Sequence, residues 1–457
     1  KMQLILPLLL TLLNKLSDTK KLRELRRLID NKLRHVWDGF EIPYVQLPAS
    51  MDIGQVTDTF EKLNTRGKRL SVFDLLIARL HKYKLDLRKL WDTGLKKYPN
   101  VERYYKATEK VPIYVLQAIS LCYEKNSSCK MKDVLNIYQN IYSNPAYVFQ
   151  THWEEASEYL NQAIERLENL RDGFGVKDEK SLPFDPMIPI LAALLREIDS
   201  RQNKAECYKK LGIWYWSSVF RNAYSSAVDS QMTADFKEMR DWFSDDTKVP
   251  RTVSQMRTEF SILSFRDIQA KSSAKYKGVM SLVALAGAKD FDTNQSLENA
   301  RGNDKDHIFP RSEVAFQAGK LVNSVLNMTW MSKNTNRWIK QWKKPSVYVQ
   351  EFVREKYDGS EEEFQGLAET HLISRRAVEC MKEDDFEGFL QDREALILAK
   401  IRELIGLEED AAKPSLISPE QPFTNKLAFL GVIRSCDKYV HWADKYFSSK
   451  GLEWLVE

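Results

Sequence analysis

Cysteine, glycine and proline are all scarce in this chain, and each shortage removes a class of structure. Five cysteines (Cys122, Cys129, Cys207, Cys380 and Cys436) are scattered over 457 residues with no C-x-x-C pair. They support neither a disulfide framework nor a structural zinc site, so a reducing, cytoplasmic setting is expected. Seventeen glycines and 15 prolines leave few tight turns, which argues against a sandwich of many short strands and for long helices. Charge of one sign is lacking too. Sixty-nine Lys+Arg stand against 64 Asp+Glu, a net +5, too balanced for a histone-like or basic disordered tail. No window reaches the roughly 18 uninterrupted apolar residues of a membrane span. The most apolar stretch, 4–13, has no small-residue cleavage site after it; Asn14, Lys15 and a charged helix follow. It reads as a buried helix rather than a leader, and no membrane partner is expected.

What the chain does have is core-forming material: 43% hydrophobic residues, 11% aromatic. Disorder over most of its length is excluded, and the length suggests about three domains. Residues 1–98 read as a small α/β part, with an edge strand at Phe40–Leu47 and a capping box, Ser71 to Asp74, opening the helix of Leu75, Leu76 and Leu80. Residues 99–285 read as a helical bundle. Its clearest stripe is Trp153, Ala156, Leu160, Ala163, Leu167 and Leu170, spaced by threes and fours. The aromatic run Trp214, Tyr215, Trp216, Phe220 and Tyr224 could stack bases, but an aromatic stripe at helical spacing is far more often core. Residues 286–406 change character, with polar loops before helices resume. A Pro-rich acidic linker, 407–422, precedes a last segment, 423–457, too short for its own core.

The chemistry concentrates at Asp306-His307-Ile308-Phe309-Pro310, then Asn327, then Asn336-Arg337. Phosphodiester hydrolysis needs a base for water, which suits histidine. It also needs a hard divalent cation on oxygen ligands for the charge that grows on phosphate and leaving group. On a strand, Asp306 and His307 point to opposite faces, so a second oxygen ligand must come from elsewhere, and Asn336 is a candidate. Strand, loop, return strand 326–330 and helix make a ββα-metal plan. If that helix runs on, Lys340 and Lys343 fall within roughly 40° of Asn336 at ~100° per residue, placed for phosphate contact together with Arg337. The bland reading stands beside this: Asp-His is a common dipeptide, and a lone histidine usually satisfies a local hydrogen bond. His35, His81, His152, His371 and His441 lack ligand-spaced partners and read as structural.

These residues resemble the HNH (His-Me finger) endonuclease motif, most closely that of GmrSD-type modification-dependent restriction endonucleases. Supporting blocks are Lys344 to Tyr348 and Thr370 to Ile373, and upstream Phe60 to Ser71, similar to the end of that family's ParB-like NTPase domain. The resemblance implies a mainly α, multidomain protein: a helical bundle, a small α/β N-terminal part and a ββα-metal (HNH) nuclease module. It implies a DNA endonuclease of anti-phage defence, with His307 as general base, Asn327 bracing the His loop, and Asp306 and Asn336 holding Mg2+ or, in its place, Mn2+. DNA, modified or of phage origin, would be the partner, and a homodimer or larger assembly would serve double-strand cleavage. The loop of Asn64, Arg66, Gly67 and Lys68 is a candidate phosphate or nucleotide site. The family's Asp-Gly-Gln-Gln-Arg motif is missing, however, which argues against a bound nucleotide and suggests a fragment that starts just past it. The alternative is a non-cleaving, nucleic-acid- or partner-binding regulatory module on the same fold.

Overall fold

The computed structural model describes residues 19–28, 31, 46, 48, 51, 59, 73–74, 76–77, 85–108, 110–123, 127–130, 133–134, 145–297, 304–311, 319–339 and 343–407. The chain divides into two units, 1–69 and 70–457. In the first, helix α1 (Thr19–Leu28) is described. The edge strand expected at Phe40–Leu47 and the loop of Asn64, Arg66, Gly67 and Lys68 fall outside the described residues, Gln46 apart.

The second unit is mainly helical. It opens with α2 (Leu87–Lys97), α3 (Pro99–Ala107) and α4 (Val111–Tyr123), then α5 (Pro145–Glu168) and α6 (Met187–Asp199). It continues through α7 (Lys204–Arg221), α8 (Val228–Ser244), α9 (Arg251–Glu259) and α10 (Ala274–Leu285). On α5, Trp153, Ala156, Leu160, Ala163 and Leu167 are all buried, and this stripe packs on α6 and α4. Helix α6 is apolar nearly all round and lies between α4, α5 and α8, as a helix without a polar face must. Trp214, Tyr215, Trp216, Phe220 and Tyr224 are core, not a base-stacking surface.

The boundary expected after residue 98 is not where the chain divides. Phe73, Trp91 and Trp153 form one aromatic cluster with centroids 6.1 Å apart. Each such pair contributes about 0.5–1.5 kcal/mol beyond its buried area, and this ties Phe73 and α2 to the bundle.

After α10 come two four-residue strands, β1 (Asp304–His307) and β2 (Met328–Met331), then α11 (Lys333–Ile339). The strands are antiparallel, with Asp304 opposite Met331, Lys305 opposite Trp330, Asp306 opposite Thr329 and His307 opposite Met328. A lone two-stranded hairpin is marginal in water, so this one depends on what surrounds it. All of β2 is buried and lies on α10, while α11 lies on β1. Four helices complete the unit: α12 (Pro345–Lys356), α13 (Glu361–Glu369), α14 (Arg375–Lys382) and α15 (Phe386–Leu404). Among the described residues, no helix is long and apolar enough to cross a membrane.

Candidate functional site

The site is built at the end of β1. The carboxylate of Asp306 turns back on its neighbour, its Oδ1 accepting from the His307 backbone N–H at 2.8 Å and lying 3.0 Å from the ring Nδ1. Alternation on a strand leads one to expect the two side chains on opposite faces. At this last strand position they touch instead, because the short Asp side chain folds onto the following amide. The bond fixes a tautomer: Nδ1–H donates to the carboxylate, and Nε2 keeps the lone pair that a general base needs. Nε2 lies 3.1 Å from the side-chain oxygen of Asn323. With the ring neutral, the Asn323 amide must present its NH2 edge to that lone pair; with an imidazolium, its oxygen accepts. Asn323 ends a one-turn segment, Gly319–Asn323, that precedes the return strand.

Asn327 is fully buried. Its Nδ2 donates to the carbonyls of Phe309 (3.0 Å) and Val322 (2.9 Å), and its Oδ1 accepts from the Phe309 N–H (2.8 Å). Its backbone carbonyl accepts from Ile308 N–H at 2.8 Å. One side chain thus holds the turn after His307 and the segment before β2 together. Tyr348 on α12 adds a bond from its hydroxyl to the Ile308 carbonyl, 2.8 Å.

Behind the hairpin, Arg393 of α15 is fully buried, donating to the carbonyls of Leu326 (2.6 Å) and Met328 (2.9 Å), on either side of Asn327, and to that of His371 (2.9 Å). Burial pushes its guanidinium down to about 9, still charged at neutral pH. His371 is buried as well. Its Nε2–H donates to the Lys289 carbonyl (2.5 Å), its Nδ1 accepts from the Thr329 hydroxyl (2.7 Å), and its ring stacks on Phe291. Burial lowers its pKa to about 4, so it is neutral and joins β2 to the 288–291 segment. Beneath Asp306, the Tyr276 hydroxyl is held protonated by burial and by the Asp306 charge.

Helix α11 starts on Asp290, a buried carboxylate that accepts from Ser332 N–H (2.9 Å) and the Thr335 hydroxyl (2.7 Å). Burial pushes the Asp290 pKa up, but the hydrogen bonds from Thr335, Ser332 and Thr293 together outweigh it and hold it low. On this helix Thr335 and Asn336 turn inward, while Lys333, Asn334 and Arg337 are exposed. Asn336 therefore sits on the buried side of a helix that lies on β1. Its side-chain amide makes no hydrogen bond to a described residue.

The helix-phase argument does not carry through for Lys343. Helix α11 is described to Ile339, Lys340 lies outside the described residues, and Lys343 stands just ahead of α12. There its amine pairs with Glu351 of α12 at 2.5 Å, an interaction that helical phase could not foresee. Arg337 lies on the outward face.

Lys305, opposite Trp330, is a cation that the pattern did not single out. Its amine lies 4.8 Å from the centroid of the Trp330 ring and donates to Ser181 Oγ at 3.1 Å. Burial lowers its pKa to about 8, with Lys277 and Lys271 adding to the effect and Asp178 opposing it. Asn323, Arg393, Asp290 and Lys305 were missed for one reason. None belongs to a periodic or motif-spaced set; Arg393 and Asp290 reach the hairpin only through tertiary contact, and Lys305, on β1 itself, meets Ser181 only in the folded chain.

The residues present can be asked whether they suit a divalent ion. Asp306 and Asn336 offer carboxylate and amide oxygens, hard donors of the kind that magnesium prefers. The two bonds to Asp306 Oδ1 do not exhaust a carboxylate's acceptor capacity, and the unengaged amide of Asn336 is an oxygen donor on a buried face. The donor set fits. Among the described residues, no cluster of three His, Cys, Asp or Glu side chains provides another metal site, and Cys122, Cys129, Cys207 and Cys380 are free thiols.

No family model matches the sequence. The chain is similar to an uncharacterized protein of Methanocaldococcus jannaschii, 30% identical over 376 residues, which cover 77% of this chain. The chain spans 62% of that relative's length.

Proposed function

We propose that this protein is a metal-dependent DNA endonuclease of the HNH type, serving modification-dependent restriction or a related anti-phage defence. The observation that carries the reading is the hairpin end. There, a histidine is held by the carboxylate beside it, the turn behind it is pinned by a buried asparagine, and a helix with an inward Asn336 lies alongside. In this reading β1, β2 and α11 form the ββα module, and residues 1–98 derive from a ParB-like NTPase-type domain.

The chemistry follows from the hydrogen bonds. Asp306 holds Nδ1–H, which orients the imidazole and leaves Nε2 facing the position of the attacking water. Nε2 takes the proton of the attacking water once the Asn323 amide yields that position. Asp306 and Asn336 would hold a divalent cation, Mg2+ or Mn2+, which when bound supplies charge stabilisation for the phosphate and leaving oxygen. Asn327 and Arg393 keep the turn in place, so the geometry is set before substrate arrives. A single hairpin has one site, and double-strand cleavage therefore calls for a homodimer or two successive nicks.

One observation favours a second reading: both ring nitrogens of His307 already have partners. A module in which Asn323 stays put would bind nucleic acid or a protein partner without cutting. Supercoiled plasmid with Mg2+ or Mn2+, with and without chelator, separates the two. Cleavage is expected to need the metal, and His307→Ala is expected to lose about 10²–10⁴ in rate with its melting temperature unchanged. Equal nicking by that variant refutes the endonuclease assignment to this site.

A further inference from the structure

Several cations of this unit are paired. Arg103 bridges Glu168 and Glu179, Arg196 meets Glu155, Lys210 meets Asp246 and Lys343 meets Glu351. Next to β1 a gathered group of lysines is not. Lys177, Lys277 and Lys305 are half-buried, and each amine donates to a neutral acceptor. The acceptors are the Leu297 carbonyl (2.5 Å), the Leu182 carbonyl (2.9 Å) and Ser181 Oγ. Lys177 and Lys305 both lie against Trp330, 4.9 and 4.8 Å from the centroid of its ring. Exposed Lys271 and half-buried Lys277 are close enough to Lys305 to disfavour its charge, and Lys305 does the same to Lys177. The carboxylates nearby are Asp178 and Asp185, and Asp178 is turned to the Ser181 N–H at 2.8 Å. Among the described residues none of the four lysines forms an ion pair. Four like charges gathered from the 177–182 loop, the 271–277 segment and β1 repel one another, a cost that the contacts with Trp330 and the neutral acceptors offset only in part. A polyanion would reverse the sign of that cost.

We infer that Lys177, Lys271, Lys277 and Lys305 form a seat for the phosphodiester backbone of the nucleic acid whose scissile linkage reaches His307. The inference rests on the endonuclease reading and gives its substrate a path. Lys305 is two residues from His307 on the same strand, so a backbone lying on the lysines arrives at the hairpin end. Each phosphate is 1.7 Å of helix axis from the next along a duplex, and every ammonium that replaces a condensed counterion adds to the salt dependence of binding.

The test measures binding of the full 457-residue chain to a labelled DNA duplex in EDTA, by fluorescence anisotropy over a salt series. A Lys177→Gln, Lys277→Gln double variant leaves β1 untouched. Its slope of log affinity against log salt is expected to be shallower by roughly 2, with affinity at 0.1 M salt down about 10- to 100-fold. A Lys177→Arg, Lys277→Arg variant, which keeps the charge, should retain the wild-type slope, and Lys400→Gln on α15 should change nothing. If the Gln pair keeps the wild-type slope while the wild type binds and cleaves, the seat is wrong and the endonuclease reading survives. Equal loss in the Arg and Gln pairs would assign the lysines to packing and also overturn it. Lysine-dependent binding of polyglutamate with none of DNA would point to an acidic protein instead, and failure of the wild type both to bind and to cleave DNA would remove the reading with the seat.

Discussion

Asn327 offers the sharpest check of the hairpin geometry, because its side chain makes three bonds in a place with no water to replace them. Asn327→Ala strands the Phe309 N–H and the carbonyls of Phe309 and Val322. At about 1–3 kcal/mol for each orphaned buried group, the loss is roughly 3–9 kcal/mol. Asn327→Asp is the more discriminating change. It keeps the volume and the acceptor, but it puts an oxygen where Nδ2 donated to two carbonyls 2.9 and 3.0 Å away. Repulsion replaces attraction at both contacts, so the isosteric variant should be no better than alanine. The assay is amide hydrogen exchange at Phe309, followed by mass spectrometry of the 304–311 region. A loss of about 3 kcal/mol corresponds to roughly 10²-fold faster exchange where exchange requires local opening. Phe309 exchange in Asn327→Asp within a factor of three of wild type would refute this account of the turn.

His371 predicts an acid-sensitive core. Its folded pKa, about 4, is below its unfolded value of about 6.5. Its contribution is therefore complete above pH 6.5 and is lost as the pH falls towards 4. Relative to His371→Gln, the wild type should lose on the order of 3 kcal/mol across that window; parallel urea midpoints from pH 7 to 4 would contradict this. Gly278 of α10 faces α7, where a Cβ would come within 2.7 Å of Val219 Cγ1 and 3.0 Å of Phe220 Cε1. Gly278→Val should therefore cost about 2 kcal/mol or more through forced separation of the two helices, read as a lower urea midpoint, and an unchanged midpoint would show that the helices do not approach so closely.

The bundle was legible because its information is periodic. The stripe Trp153 to Leu167 declares both the helix and the buried face, and the long apolar runs of α4 and α6 declare helices with no exposed side. The return strand was read over 326–330 from its place between the Asp306-His307 strand and the Asn336 helix; it runs Met328–Met331, because Val325–Asn327 form a tight helical turn ahead of it. What stayed hidden depends on meetings between distant segments. Arg393 and His371 look like ordinary helix and loop residues, and nothing in their spacing shows that they close on the hairpin. Lys343 illustrates the opposite failure: helical phase was applied to a residue that stands just ahead of α12, where its amine pairs with Glu351. Phe73 and Trp91 likewise reveal their shared core with Trp153 only in three dimensions.

Arg393 lies 67 residues after Leu326 and 65 after Met328, the carbonyls it grips. A ribosome making this chain releases both strands well before the side chain that fastens them, and a four-residue pair has little hold of its own. The hairpin corner at His307 is thus among the last parts to settle, after α15 has been synthesised and laid down. A nascent or prematurely terminated chain would carry the His307 segment without its latch.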